Sequence, residues 1–204
     1  MTYDVSVMAF KHEHHLEHLQ DTLRLFGYRD LGQKSRVRGE LELEREMQNW
    51  DLGNNRVLKA ITPSAGWTVV LDPEKVMACH DKSCEEFSKK YSSVVMGMIC
   101  DEVNKTYGFT VYRHGEKIRE FLTVDGSVKA NSGKKLSVEV GLDLADKAML
   151  DDEIYDIFLG VTGVDLYTLM DEGEFSINEL EKDEGAATAH RSLLEKLSPA
   201  RLFD

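Results

Sequence analysis

The sequence predicts an α+β protein: a largely antiparallel sheet with a few helices packed on one face, followed by an acidic helical C-terminal extension. Three observations support this class. Short segments rich in β-branched and aromatic residues recur between turn residues, apolar residues follow a helical spacing in a few places, and the excess negative charge lies near the C-terminus. We place one domain in residues 1–182 and a tail helix in residues 183–204.

The first segments alternate between strand and helix patterns. Residues 3–10 predict a strand, and the apolar spacing in 11–26 predicts a helix that ends near Gly27. Residues 35–44 alternate between apolar and charged side chains, which is typical of a half-exposed strand. Two further strands are predicted at residues 55–61 and 66–71.

The middle of the chain predicts a helix at 83–90 and then an antiparallel meander. The meander is indicated by apolar runs that turn at Asn104-Lys105 and at His114-Gly115. Residues 134–142 predict another strand, residues 150–160 predict a helix, and the next turn of helix is expected in "VDLYTLM". The segment "GEFSINELE" fits either a helix or a strand.

The order strand–helix–strand–strand occurs twice, in residues 1–65 and 66–125, which suggests an internal duplication. A paired β-α-β-β-β plan is similar to that of the vicinal-oxygen-chelate enzymes. The resemblance rests on the order of elements and on "LFGY" after the first helix. It implies a metal ion held between two modules, although the family's ligands do not match residues at the expected strand positions here.

The stretch "KHEHHLEHLQ" contains a candidate metal motif. His14, Glu17 and His18 fit the pattern H-x-x-E-H, in which two imidazoles one helical turn apart bind zinc and the glutamate activates a water. On a helix, however, His14 and His18 lie opposite the apolar stripe and point to solvent, whereas His12 lies on the apolar side. A solvated helix face is therefore the alternative to a site for zinc or another divalent metal.

The three cysteines offer a second set of potential ligands. Cys79 and Cys84 lie close together in sequence, next to His80, and Cys100 ends an apolar run. A structural zinc site needs four ligands, which this spacing does not supply. Ordinary reduced thiols are the simpler interpretation, and an odd number of cysteines does not indicate a disulfide framework.

The net charge of −12 is concentrated in one segment. Residues 143–184 contain fourteen acidic and two basic residues, and the rest of the chain is neutral. This sign disfavours direct nucleic-acid binding and favours a protein partner with a basic surface. The residues that we predict to bind this partner are Asp151, Asp152, Asp156, Asp171, Glu172 and Glu174.

No complete catalytic motif is present, and the calcium-loop and phosphate-loop patterns fail on spacing. We therefore expect a non-enzymatic protein-binding module without a cofactor, such as an inhibitor or immunity-like factor. The alternative is a metal-dependent enzyme, either vicinal-oxygen-chelate-like or a hydrolase, that uses the His-rich first helix. Because neither a signal peptide nor a membrane span is visible, a cytoplasmic location is expected.

Overall fold

The computed structural model describes residues 5–11, 18–142, 144 and 151–183. Its strands are β1 (Val5–Lys11), β2 (Tyr28–Arg38), β3 (Asp51–Gly53), β4 (Arg56–Ser64), β5 (Trp67–Leu71), β6 (Val94–Asp101), β7 (Thr106–Arg113), β8 (Glu116–Val124), β9 (Ser127–Gly133) and β10 (Glu174–Lys182). Its helices are α1 (Leu19–Leu25), α2 (Glu40–Met47), α3 (Asp81–Lys90), α4 (Asp151–Thr162) and α5 (Leu166–Glu172), with short 3-10 turns at Met77–Cys79 and Ser137–Glu139.

All ten strands belong to one antiparallel sheet, in the order β2-β10-β4-β5-β1-β6-β7-β8-β9, with β3 paired to β4. The prediction of a mixed fold dominated by an antiparallel sheet is confirmed. The strands expected at 3–10, 55–61 and 66–71, the helices at 83–90 and 150–160, and the meander of β6, β7 and β8 are also confirmed, with shifted ends. The domain boundary at residue 182 and the internal duplication stay predictions.

Helices cover both faces of the sheet, so the prediction of one covered face was wrong. Val7 and Ala9 of β1 pack into the core beneath α4, whereas Met8 and Phe10 pack into a second core beneath α1 and α3. Because successive side chains of a strand point to opposite faces, a central strand between two helical layers buries apolar side chains on both faces. The uninterrupted apolar run in β1 is the sequence signal of that arrangement.

The alternating segment 35–44 is a strand only as far as Arg38, and α2 follows it. Gly39 separates the two elements with a φ of 73°, a conformation that favours glycine. The residues after it are strong helix formers, and in the helix Leu43 is buried while Leu41 is 79% exposed. The strand prediction failed because Leu41 and Leu43 are two residues apart, as the inward-facing residues of a strand are, whereas in the helix only Leu43 packs inward.

The strand predicted at 134–142 was also wrong. Residues 127–133 form the edge strand β9, which is polar because it is largely exposed, and Ser137–Glu139 is a 3-10 turn. The Glu139 carboxylate accepts a hydrogen bond from the Leu136 amide at 2.8 Å. This contact closes the chain into a turn. The alternation of apolar and polar residues, from which the strand was predicted, does not reveal such a contact.

The acidic C-terminal segment is part of the sheet as well as of the helical layers. The ambiguous "GEFSINELE" forms most of β10, which lies between β2 and β4 and pairs with both. The segment is therefore not a purely helical extension. The tail helix was predicted in residues 183–204, and all of it except Asp183 lies outside the described residues.

Within the described part of the chain, no helix combines the length and apolar character that crossing a bilayer requires.

Substituting Gly39 tests the junction between β2 and α2. A Cβ atom at Gly39 would lie 2.6 Å from the carbonyl oxygen of Asp171, so Gly39→Ala meets both an unfavourable φ and a backbone collision. We expect its free energy of unfolding to fall by about 2–4 kcal/mol in urea denaturation. Gly53→Ala is the matched control, because its φ is also 73° but no atom lies within 4 Å, and it should cost only about 1 kcal/mol. Equal losses in the two variants would show that the close approach to α5 is unimportant.

Candidate functional site

The helices on one face of the sheet form a strongly acidic surface, which we call the acidic layer and define as α2, α4 and α5. Leu43 of α2, Ile154 and Phe158 of α4, and Leu166 of α5 all belong to one core on this face. The three helices contain ten acidic residues and one basic residue, Arg45, which gives a net charge of −9.

The helices on the opposite face, α1 and α3, form what we call the neutral layer. Their buried residues, among them Leu23 and Phe87, belong to the second core. Together the two helices contain four acidic and four basic residues. The negative potential is therefore stronger at the acidic layer than at the neutral layer. A basic surface is attracted at long range to the acidic layer and not to the neutral layer.

The acidic layer is continuous across its three helices. Tyr167 of α5 donates a hydrogen bond from its hydroxyl to Asp152 of α4 at 2.9 Å. The ring of Tyr167 also lies against that of Tyr155, with a centroid distance of 4.6 Å. At the other end of α5, the carbonyl of Asp171 lies next to Gly39, where α2 begins. A partner could therefore contact all three helices at once.

Three large apolar side chains are exposed on this layer. Leu41 of α2 is 79% exposed, Leu159 of α4 is 40% exposed, and Tyr167 is 49% exposed. Single exposed apolar residues are common on protein surfaces. Here they occur among carboxylates, which is the combination of apolar contact and polar rim that protein interfaces use.

The predicted partner-binding residues separate into two groups. Asp152, Asp156, Asp171 and Glu172 are exposed on the acidic layer. Glu174 begins β10 and forms an exposed ion pair with Arg36 of β2 at 3.3 Å. Its charge is therefore partly neutralised.

Asp151 is the first residue of α4. The sequence places it in the acidic layer next to Asp152.

Most of the predicted histidine motif falls on residues that the structure does not describe. His12, His14 and Glu17 lie outside the described ranges. His18 precedes α1, and its ring lies 5.7 Å from that of Tyr91. Among the described residues, no group of three or more histidine, cysteine, aspartate or glutamate side chains is arranged to hold a metal ion. The alternative of a metal-dependent enzyme therefore stays a hypothesis that rests on the sequence motif His14, Glu17 and His18.

Cys79 and Cys84 lie near the start of α3, where burial governs their chemistry. Burial, together with the nearby carboxylates of Asp72 and Asp81, raises the pKa of the Cys79 thiol to about 12. Burial also raises the pKa of Cys84. Thiolates are the reactive and metal-binding form of cysteine, so these environments do not activate either residue.

Beside these cysteines, Asp81 joins the neutral layer to the sheet. Its carboxylate accepts a hydrogen bond from the Tyr112 hydroxyl at 2.5 Å and pairs with Lys117 at 2.6 Å. Lys117 also pairs with Glu120 at 3.1 Å. The group connects α3 to β7 and β8, and Lys117 is shared between its two carboxylates.

A buried ionic network, which sequence reasoning missed, connects the strands of the first half of the sheet. Lys59 of β4 is fully buried and pairs with Asp72 and, at 3.1 Å, with Glu74. Tyr28 of β2 donates to Glu74 at 2.8 Å, and Lys182 of β10 pairs with the other oxygen of that carboxylate. The sequence signal was a lysine inside the apolar strand "VLKAI", because a buried lysine requires a carboxylate partner.

Both carboxylates of this network are fully engaged. Asp72 also accepts hydrogen bonds from the amides of Val76 and Met77 at 2.8 and 2.6 Å. Burial by itself would raise the pKa of Glu74, but Lys59 and Lys182 outweigh it and lower that pKa to about 2. We interpret the network as structural, since every charge in it has a partner and all but the half-buried Lys182 are shielded from solvent.

A second buried ion pair joins β8 to the 3-10 turn at 137–139. Arg119 contacts the Glu139 carboxylate at 2.7 and 2.9 Å, and it donates to the side chain of Asn131 at 2.9 Å. Its guanidinium also lies 5.8 Å from the ring centroids of Phe109 and Phe121. Aromatic rings and a carboxylate together therefore hold an arginine inside this protein.

Replacing Glu74 tests the network through its pH dependence. The folded-state pKa is lowered from 4.5 to about 2, so the stabilisation is present above pH 4.5 and is lost as the pH falls through 2. We expect Glu74→Gln to lower the free energy of unfolding by about 3 kcal/mol at neutral pH. The difference in free energy of unfolding between this variant and the unsubstituted protein should narrow between pH 4.5 and 2. It is measured by urea denaturation at several pH values. Glu44→Gln, on the exposed side of α2, is the control and should show no such difference in free energy of unfolding. If the destabilisation by Glu74→Gln did not change with pH, the lowered pKa of Glu74 would not be its cause.

The thiol environments are tested by alkylation. We expect Cys79 and Cys84 to react slowly with a maleimide at pH 8 in the folded protein and rapidly after unfolding in urea, because burial disfavours the thiolate. Mass spectrometry of the labelled peptides gives the rate at each site. A cysteine introduced at the exposed Lys129 serves as the reactive control, and a native Cys79 that matched its rate would disprove the raised pKa.

Comparison with protein-family models, with curated protein sequences and with solved structures finds no match to this chain.

Proposed function

We propose that this protein is a non-enzymatic binding module that captures a protein partner with a basic surface through its acidic layer. The observation that carries the proposal is the net charge of −9 on one helical layer, opposite a layer with no net charge. A field with this direction raises the rate of encounter with a basic partner and orients it before contact.

Some of these acidic residues disfavour folding. Asp171 and Glu172 lie in the last turn of α5, where the helix dipole has its negative end. Carboxylates at a helix C-terminus cost roughly a few tenths of a kcal/mol each at the surface. Folding does not account for acidic residues at these positions, whereas binding of a cationic partner does.

The exposed Leu41, Leu159 and Tyr167 supply the apolar part of the proposed contact. Charges on the rim of an interface chiefly affect the association rate and the choice of partner, while apolar contacts between them slow dissociation. An inhibitor or immunity-like factor would use such a surface to cover a basic functional site on its target.

Charge reversal on α4 tests the proposal. The probe is a fluorescent lysine-rich peptide, whose affinity is measured by anisotropy at several salt concentrations. We expect Asp152→Lys combined with Asp156→Lys to weaken binding by about tenfold or more at low salt and to flatten the salt dependence.

The matched control reverses two acidic residues of the neutral layer, Asp21→Lys with Glu86→Lys. It changes the net charge by the same amount, and it should weaken binding by less than about twofold if the site is local. Equal weakening in the two double variants would mean that the peptide responds only to total charge, and the acidic-layer proposal would be abandoned.

A further inference from the structure

We propose that Tyr167 is the anchor of the acidic layer and that it selects arginine over lysine in the basic partner. The guanidinium group would lie on the exposed part of the Tyr167 ring, with the carboxylate of Asp152 at its edge. This inference rests on the proposed function and specifies the partner chemistry that the same surface prefers.

The position of the ring is fixed before any partner arrives. The Tyr167 hydroxyl is bound to Asp152 at 2.9 Å, and the ring packs against Tyr155 at 4.6 Å with an angle of 31° between the planes. Tyr155 is almost fully buried, whereas half of Tyr167 is exposed. Little side-chain entropy is therefore left to lose on binding, which is how tyrosine anchors at interfaces provide affinity.

The neighbouring charges favour a cation over the ring. Asp156 lies one helical turn after Asp152 on the exposed side of α4. Asp165 caps α5, where its carboxylate accepts hydrogen bonds from the amide and the hydroxyl of Thr168 at 3.2 and 2.9 Å. No lysine or arginine occurs in the sequence of α4 or α5.

Arginine suits this arrangement better than lysine does. A guanidinium is planar and weakly hydrated, so it stacks on an aromatic ring while its N–H groups bind a carboxylate at the edge. A lysine ammonium is a compact, strongly hydrated charge and gains less from the ring. The chain itself contains a precedent, because Arg119 is held by two phenylalanine rings together with the Glu139 carboxylate.

The test uses two short labelled peptides that are identical except that one carries arginine and the other lysine at every basic position. Their dissociation constants are measured by anisotropy with the full chain. We expect the arginine peptide to bind about three- to fivefold more tightly. The preference should disappear in Tyr167→Leu and persist in Tyr167→Phe, which keeps the ring but loses the hydroxyl.

Tyr91→Leu, at the residue that follows α3 on the opposite face, is the control, and it should leave the preference unchanged. Equal affinity of the two peptides for the unsubstituted protein, or a preference that survives in Tyr167→Leu, would overturn the role of Tyr167 and leave the acidic layer as a general basic-partner site. If neither peptide binds at low salt, the proposed function itself fails.

Discussion

The buried charge of Lys59 is the constraint on which the rest of the fold depends. An ammonium group inside an apolar sheet is tolerated only when carboxylates surround it. Asp72 and Glu74 meet this need from the chain that follows β5, Tyr28 contributes from β2, and Lys182 contributes from β10. The network therefore joins strands that are far apart in sequence, and it holds the C-terminal strand between two N-terminal ones.

This arrangement determines how firmly the acidic layer is held. The strand β10 begins directly after α5 and is separated from it only by Gly173. Along β10, ion pairs connect its glutamates to arginines of the neighbouring strands β2 and β4. Lys182 holds the C-terminal end of β10 in the buried ionic network, and Glu174 pairs with Arg36 of β2 at the other end. Because both ends of β10 are held, α5 has a defined position over the sheet. The Tyr167–Asp152 hydrogen bond extends that order to α4. A surface held in this way loses little conformational entropy on binding.

Sequence patterns predicted most strands because each central strand is a separate apolar run with a turn after it. They failed where a tertiary contact decides the conformation: Gly39 beside Asp171 starts α2, and the pairing of Glu139 with Arg119 closes a turn in place of a strand. The concentration of negative charge was visible in the sequence, but the placement of acidic residues from three helices in one layer was not. That layer includes α2, which is more than a hundred residues away from α4. The exposure of Leu41 could not be predicted either, since an apolar residue in a helix is normally expected to face the core.

The acidic layer is more specific than solubility would require. A soluble surface is obtained when charges of both signs are mixed, and a large field of one sign destabilises the compact state through self-repulsion. Here the repulsion is concentrated on three adjacent helices, while α1 and α3 on the other face are balanced. Apolar side chains are also exposed within the field, where they are of no use for solubility. A cationic partner that covered both the carboxylates and the apolar groups would relieve both unfavourable features at once, which is the physical argument for the proposed binding surface.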